Sequence, residues 1–397
     1  MKDLFLRHIA QTSTEPLMLE VERGEGIYLF DKAGKRYIDL ISGIAVSNVG
    51  HAAPEVVAAI KRQAEVYIHS MVYGEHIQEV QVLFAQKLTE LLPDSLSVVY
   101  FLNSGGEAVE GALKVSKRFT GRKKLLSCHR SYHGSTHGAL SVTGMSWLKE
   151  GYGPLLPEVE FIEYNHWPSI EKITEEHAAF IIEPIQAASG IRLPDSGYLA
   201  AIRKRCDETG TLLIFDEIQS GFGRTGKFCA LHHEGVTPDI LLLAKSLGGG
   251  MPLGAFITRP EIIRIIQQDP VLGHITTFGG HPVCCAAGMA ALDKILNEGL
   301  MEAIPAKEAL VRRILKHPAI KAIRGRGLML GLELESYEQV LEVWKVAHEK
   351  GLLLIWHLDA GEVIRIAPPL TITEAELTTA LATLLEAIDE VYQPTNA

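Results

Sequence analysis

Seven short apolar runs, at 98–102, 124–128, 159–164, 180–184, 212–216, 240–244 and 254–258, alternate with helical patterns between about residues 54 and 292. Strands of this kind are too apolar to be half exposed. Alternation with helices buries them in a mostly parallel sheet covered on both faces, which makes the chain an α/β protein. In such sheets ligands bind in the crevice at the carboxyl ends of the strands. At 397 residues and 47% hydrophobic composition the chain is long enough for two domains. After residue 301 the pattern changes to an apolar stretch at 320–334, a helix over 337–350, strands at 351–356 and 363–367, and a last helix over 374–392. The expected division is a large domain over 49–300 and a smaller α+β domain built from both termini, 1–48 and 301–397. No internal repeat, low-complexity tract or flexible linker is evident.

Three of the strand ends carry chemistry. The run 240–244 leads into Lys245-Ser246-Leu247-Gly248-Gly249-Gly250, a lysine at a strand exit beside glycines that let a ligand approach the backbone. That placement suits a Schiff-base lysine. The run 212–216 ends in Asp216, followed by Glu217-Ile218-Gln219, so the Asp216 carboxylate projects into the same crevice. The run 98–102 is followed by Asn103-Ser104-Gly105-Gly106 and an amphipathic helix, which presents free N–H groups and the positive end of a helix dipole to an anion. Pyridoxal phosphate needs a carbonyl-accepting lysine, an anion beside its pyridine nitrogen and donors for its phosphate. An ordinary strand-to-helix turn is the bland reading of the third segment alone.

Together these segments resemble the class III, ornithine/acetylornithine-type aminotransferases of the fold-type I pyridoxal phosphate enzymes. The resemblance extends from Gly24-Glu25-Gly26-Ile27-Tyr28 through Gly50-His51-Ala52-Ala53-Pro54 to Arg365-Ile366-Ala367-Pro368-Pro369. It implies that Lys245 and Asp216 are catalytic, that Ser104, Gly105 and Gly106 hold the phosphate, and that Tyr132 stacks on the cofactor ring. It further implies that Gln219 bonds the phenolic oxygen, that Glu183 organises the site, and that Arg365 takes a substrate carboxylate. Thr277, in Thr276-Thr277-Phe278-Gly279-Gly280, corresponds to a threonine that reaches the phosphate of a neighbouring subunit, which implies a homodimer with shared sites. The bland readings are a core tyrosine, a loop glutamine, a structural glutamate, a turn threonine and an ion-paired strand arginine.

The chain departs from the ornithine/acetylornithine pattern twice. Ser135 stands where those members usually carry an arginine for the distal carboxylate, and Ala188 where they usually carry a glutamate that neutralises the substrate-binding arginine. Both departures concern the amino donor, and neither touches Lys245 or Asp216. His281 replaces a usual asparagine and is given no role. The amino acceptor implied by the resemblance is 2-oxoglutarate.

Composition narrows the alternatives. A net charge of −10 with no basic block argues against a nucleic-acid or anionic-membrane binder. Five cysteines without a CxxC pattern, and no leader-like segment at 1–14, lead to the expectation of a reduced, cytoplasmic protein. Sixteen histidines show no zinc-ligand spacing, so no metal is expected. Gly221-Phe222-Gly223-Arg224-Thr225-Gly226-Lys227 approaches a phosphate-binding P-loop, but Phe228 fills the position that needs Ser or Thr. A racemase or epimerase of the same fold would use the same lysine and aspartate, and a cofactor-free binding protein would leave Lys245 unmodified.

Overall fold

A computed structural model describes residues 1–392, so the last five residues of the expected C-terminal lobe, 393–397, lie outside the described residues. Near the N-terminus, β1 (Val21–Glu25), β2 (Tyr28–Asp31) and β3 (Arg36–Asp39) form an antiparallel meander. The central sheet contains β4 (Val98–Leu102), β5 (Lys124–Cys128), β6 (Val159–Ile162), β7 (His177–Ile182), β8 (Leu212–Asp216), β9 (Ile240–Leu243) and β10 (Gly254–Thr258). Their spatial order is β4-β10-β9-β8-β7-β5-β6, with β10 antiparallel to both neighbours and the other ladders parallel. β7 begins three residues earlier than the sequence pattern marks and ends at Ile182, which leaves Glu183 just beyond the strand.

Strand alternation divides the core between the two faces of this sheet. Ile181, Ile214 and Leu242 pack in one cluster with Val109, Ala112 and Leu113 of the helix Gly105–Thr120. Phe180, Leu213, Phe215 and Leu241 belong to the other, with Leu292 and Ile295 of the helix Pro282–Asn297. The helix Gly105–Thr120 starts where Ser104 Oγ accepts from Glu107 N at 3.2 Å and stops at Gly121, whose φ of 70° suits glycine.

The C-terminal part contributes β11 (Ala322–Arg326), β12 (Met329–Glu333), β13 (Leu352–Leu353), β14 (Trp356–His357) and β15 (Ala360–Ile366). One sheet has the order β11-β12-β15-β14, while β13 joins β3 in parallel at the edge of the N-terminal meander. The single strand expected over 351–356 is therefore two. The carbonyls of Gly351 and Leu353 accept from Ile38 and Leu40, whereas that of Ile355 accepts from Arg365, so the chain changes sheets within four residues. The last helix, Glu374–Val391, opens on a capping box between Thr373 and Glu376.

One feature has no sequence signal beyond a glycine. Ser42, Gly43, Ile44 and Ala45 form a left-handed turn with φ of 50°, 58°, 64° and 62°. Such a turn costs roughly 1–2 kcal/mol per non-glycine residue and persists only where its surroundings fix it. Here Asp39 Oδ1 accepts from Ile41 N at 2.7 Å and Ser42 N at 2.9 Å, and Ser42 Oγ donates to the Ala367 carbonyl at 2.8 Å. The turn delivers Val46 to the wall of the central cavity and Asn48 to the interior.

Candidate active site

A cavity of about 780 Å³ opens at the carboxyl ends of β8 and β9 and at the start of the helix Gly105–Thr120. Lys245, Asp216, Ser104, Gly105, Gly106, Tyr132, Glu183 and Gln219 all line it. The strand geometry accounts for the convergence: β8 and β9 are parallel neighbours in register, Asp216 opposite Leu242, so both chains leave the sheet at the same edge.

Lys245 leaves β9 with φ of 52°, a strained conformation for a residue with a side chain. It keeps some exposure through the cavity mouth, but the surrounding protein lowers its pKa from 10.5 to about 8. Burial is the main cause and the Arg365 charge adds to it, while the Asp216 and Glu183 carboxylates oppose it. Asp216 is only 6% exposed. Its Oδ2 accepts from His133 Nδ1 at 2.7 Å and its Oδ1 from Ile218 N at 3.1 Å. His133 is itself buried, with its backbone N–H on Thr143 Oγ1 at 3.0 Å. Sequence reasoning missed this histidine. Its adjacency to Tyr132 was the available signal, but nothing local ties it to a carboxylate 83 positions away.

Glu183 holds the other side of the site. Its Oε1 accepts from Tyr132 N at 3.0 Å and its Oε2 from Ala187 N at 2.9 Å. Burial raises its pKa to about 7; Asp216 adds to the rise, and His133 and the two backbone donors oppose it. Tyr132 is thereby fixed through its backbone, with its hydroxyl 3.2 Å from Ser135 Oγ.

At the opposite end, the first-turn N–H groups of Gly105 and Gly106 have no acceptor within the helix, and both residues line the cavity. A Cβ at 105 would fall 2.8 Å from Ile218 Cδ1, so a side chain there would have to displace the end of that isoleucine. Unpaired amides, a buried carboxylate held by a histidine, and a lysine of depressed pKa are the donor set that pyridoxal phosphate requires. Among the described residues no group of three or more His, Cys, Asp or Glu is arranged to hold a metal ion.

Two of the sequence-assigned residues stand apart from the cavity wall. Arg365 lies on β15 opposite Gly331, is 5% exposed, and does not line the cavity, although its charge is felt at Lys245. Its Nη2 donates to His357 Nδ1 at 3.3 Å, and its Nε and Nη1 have no partner. Thr277 is exposed, outside its own chain's cavity, with its carbonyl 2.8 Å from His69 Nε2. The P-loop-like segment is structural. Arg224 is wholly buried and donates to the carbonyls of Leu328 at 3.1 Å and Pro368 at 2.6 Å and to Asn48 Oδ1, while Lys227 Nζ bonds the His232 carbonyl at 2.9 Å.

Fold and site together define a fold-type I pyridoxal phosphate enzyme. The class-III aminotransferase family model matches residues 9–388, and the chain belongs to that family. It is 44% identical over 368 residues, 92% of this chain and 93% of the relative, to an acetylornithine aminotransferase of Methanopyrus kandleri. Its structure resembles an ornithine aminotransferase of Toxoplasma gondii (TM-score 0.90, 31% identity, 98% of this chain and 94% of the other). It equally resembles an adenosylmethionine-8-amino-7-oxononanoate aminotransferase of Methanocaldococcus jannaschii (TM-score 0.90, 32% identity, 98% of both chains). The protein is a pyridoxal phosphate-dependent transaminase, and none of these relatives favours a racemase.

Proposed function

We propose that this transaminase moves amino groups between substrates that both carry a carboxylate on the reacting carbon, with 2-oxoglutarate as acceptor. The observation that carries the reading is Arg365: buried, with two nitrogens unpartnered and no carboxylate within ion-pair distance among the described residues. Ala188, 7% exposed and lining the cavity, supplies none. A guanidinium left in this state favours a substrate that brings a carboxylate to it in each half-reaction. Terminal-amine donors bring none there, and Ser135 offers no charge for their distal end.

When bound, pyridoxal phosphate supplies a carbonyl that condenses with amines and a protonated ring that accepts electron density from the substrate. The chain's own residues do the rest. Lys245 Nζ, with a pKa near 8, has a neutral fraction at physiological pH and serves first as the anchor. Once displaced by substrate amine, it accepts the α-proton and returns it as the ammonium. Asp216, fixed by His133, would hold the ring nitrogen's proton when the cofactor is bound. Ser104, Gly105 and Gly106 would hold its phosphate, Tyr132 would stack on its ring and Gln219 would bond its phenolic oxygen, while Glu183 fixes the backbone of Tyr132 and Ala187.

A homodimer fits the same reading. Thr277 lies in a segment that also exposes Val271 (73%), Ile275 (52%) and Phe278 (54%), apolar side chains that a second copy would cover as Thr277 reached its cofactor phosphate. The division into a large domain over 49–300 and a smaller one from 1–48 and 301–397 belongs to the same proposal. So does a cytoplasmic setting, which the five free, buried cysteines suit.

The deciding experiment screens amino donors against the purified enzyme with 2-oxoglutarate and follows glutamate. An α-amino donor should give the highest kcat/KM, with ornithine and acetylornithine roughly ten- to a hundredfold lower, the range of one charge-assisted hydrogen bond. Acetylornithine or ornithine as best donor would sink the reading. Borohydride reduction and peptide mapping test the anchor separately: the phosphopyridoxyl group should lie on Lys245.

A further inference from the structure

Arg365 raises a problem that the proposed function leaves open. A buried guanidinium with no partner would collapse onto the nearest carbonyls, yet one with a carboxylate partner would be neutralised before substrate arrives. The hairpin of β14 and β15 meets both demands. Trp356 pairs with Ile364 and His357 with Ala360, which sets the His357 ring against Arg365 from the adjacent strand. His357 is fully buried, and its Nδ1 accepts from Arg365 Nη2 at 3.3 Å. Burial and the neighbouring Arg365 charge hold its pKa well below the usual histidine value, so the ring is neutral and adds no charge. Of the five N–H donors of a guanidinium, His357 engages one, and Nε and Nη1 stay free.

The loop after His357 is fastened to the site. Asp359 N donates to the Ala188 carbonyl at 2.9 Å, and the Asp359 carboxylate receives Arg130 Nε at 2.6 Å. Arg130 Nη2 also bonds the Asp359 carbonyl at 2.7 Å, two residues before Tyr132. His357 is thus held in register with the 187–188 wall and with the segment that carries Tyr132.

We infer that His357 is a positioning residue for Arg365, a neutral acceptor that fixes the guanidinium for a substrate carboxylate without neutralising it. The inference rests on the α-carboxylate reading above and adds the residue that keeps Arg365 available in both half-reactions. It also assigns a consequence to Ala188: with no carboxylate there, orientation falls to a neutral ring.

The test uses the cofactor-loaded enzyme. His357→Leu removes the acceptor and should raise the KM for 2-oxoglutarate about tenfold or more, with kcat within about twofold. Inhibition by glutarate, a dicarboxylate that cannot react, should weaken in parallel, and His357→Gln, which keeps an acceptor, should restore most of the loss. If His357→Leu does not fold, His357→Glu serves instead. Its carboxylate would pair with Arg365, preserve the fold and raise that KM about a hundredfold. An unchanged KM in either variant, alongside a raised KM in Arg365→Lys, overturns the role of His357 alone. An unchanged KM in Arg365→Lys overturns the α-carboxylate reading and this inference with it.

Discussion

Arg224 and Arg365 are both buried, at 0% and 5% exposure, and differ in how far their donors are satisfied. Arg224 reaches three acceptors from three parts of the chain, Asn48, Leu328 and Pro368, 176, 104 and 144 positions away. Arg365 reaches one neutral ring nitrogen on its own hairpin. Burial lowers both pKa values, to about 9 and about 10, far enough above neutrality for both groups to stay charged. The difference therefore lies in the acceptors: Arg224 leaves only Nε unpartnered and ties three parts of the chain together through both terminal nitrogens, whereas Arg365 leaves Nε and Nη1 unpartnered, which keeps a terminal nitrogen for a ligand.

The comparison is most easily broken by stability. Arg224→Met orphans three buried acceptors and should lower the unfolding free energy by about 3 kcal/mol, read by chemical denaturation. Arg365→Met should stay within about 1 kcal/mol of the parent or exceed it, since it loses one weak bond and relieves a desolvated charge. Equal losses in the two variants would mean that burial alone had been mistaken for a division of roles.

A smaller effect tests whether the same logic extends to Asp216, a buried anion whose Oδ2 is held by His133. His133→Phe removes the histidine donor and should lower kcat roughly tenfold while KM for 2-oxoglutarate changes little. A change confined to KM would assign His133 to substrate binding instead.

The smallest effect concerns pH. Lys245 must be neutral to attack a carbonyl, so loading of the apo-protein with pyridoxal phosphate, followed by absorbance, should quicken as pH rises through about 8. Below that midpoint the ammonium dominates and the rate falls about tenfold per pH unit. Asp216 stabilises the ammonium, so Asp216→Asn should move the midpoint down. Arg365 opposes it, so Arg365→Met should move it up, and Arg224→Met should leave it in place. A shift in the Arg224 variant equal to that in the Arg365 variant would erase the distinction between them.

Legibility followed the range of the interactions involved. Four consecutive apolar residues followed by Asp216, four followed by Ala244 and Lys245, and Ser104 ahead of two glycines are local patterns, and all three ends meet in one cavity. The strand expected over 351–356 failed because its residues bond two different sheets, a choice made by β3 and β15 rather than by the segment itself. Arg224 was weighed as part of a phosphate loop because its spacing with glycines was visible and its acceptors were not.

The sequence by itself determined the doubly covered sheet and the chemistry at its strand ends, because strand burial and helix starts depend on residues within a few positions of one another. Only the tertiary structure decided that His133 supports Asp216, that Arg224 is a clamp, that Ser42–Ala45 turns left-handed and that Arg365 has a neutral partner. Each of those depends on which donor meets which acceptor across separate elements. That pairing is fixed by packing and strand register, since a buried polar group takes whatever partner the fold brings within about 3 Å.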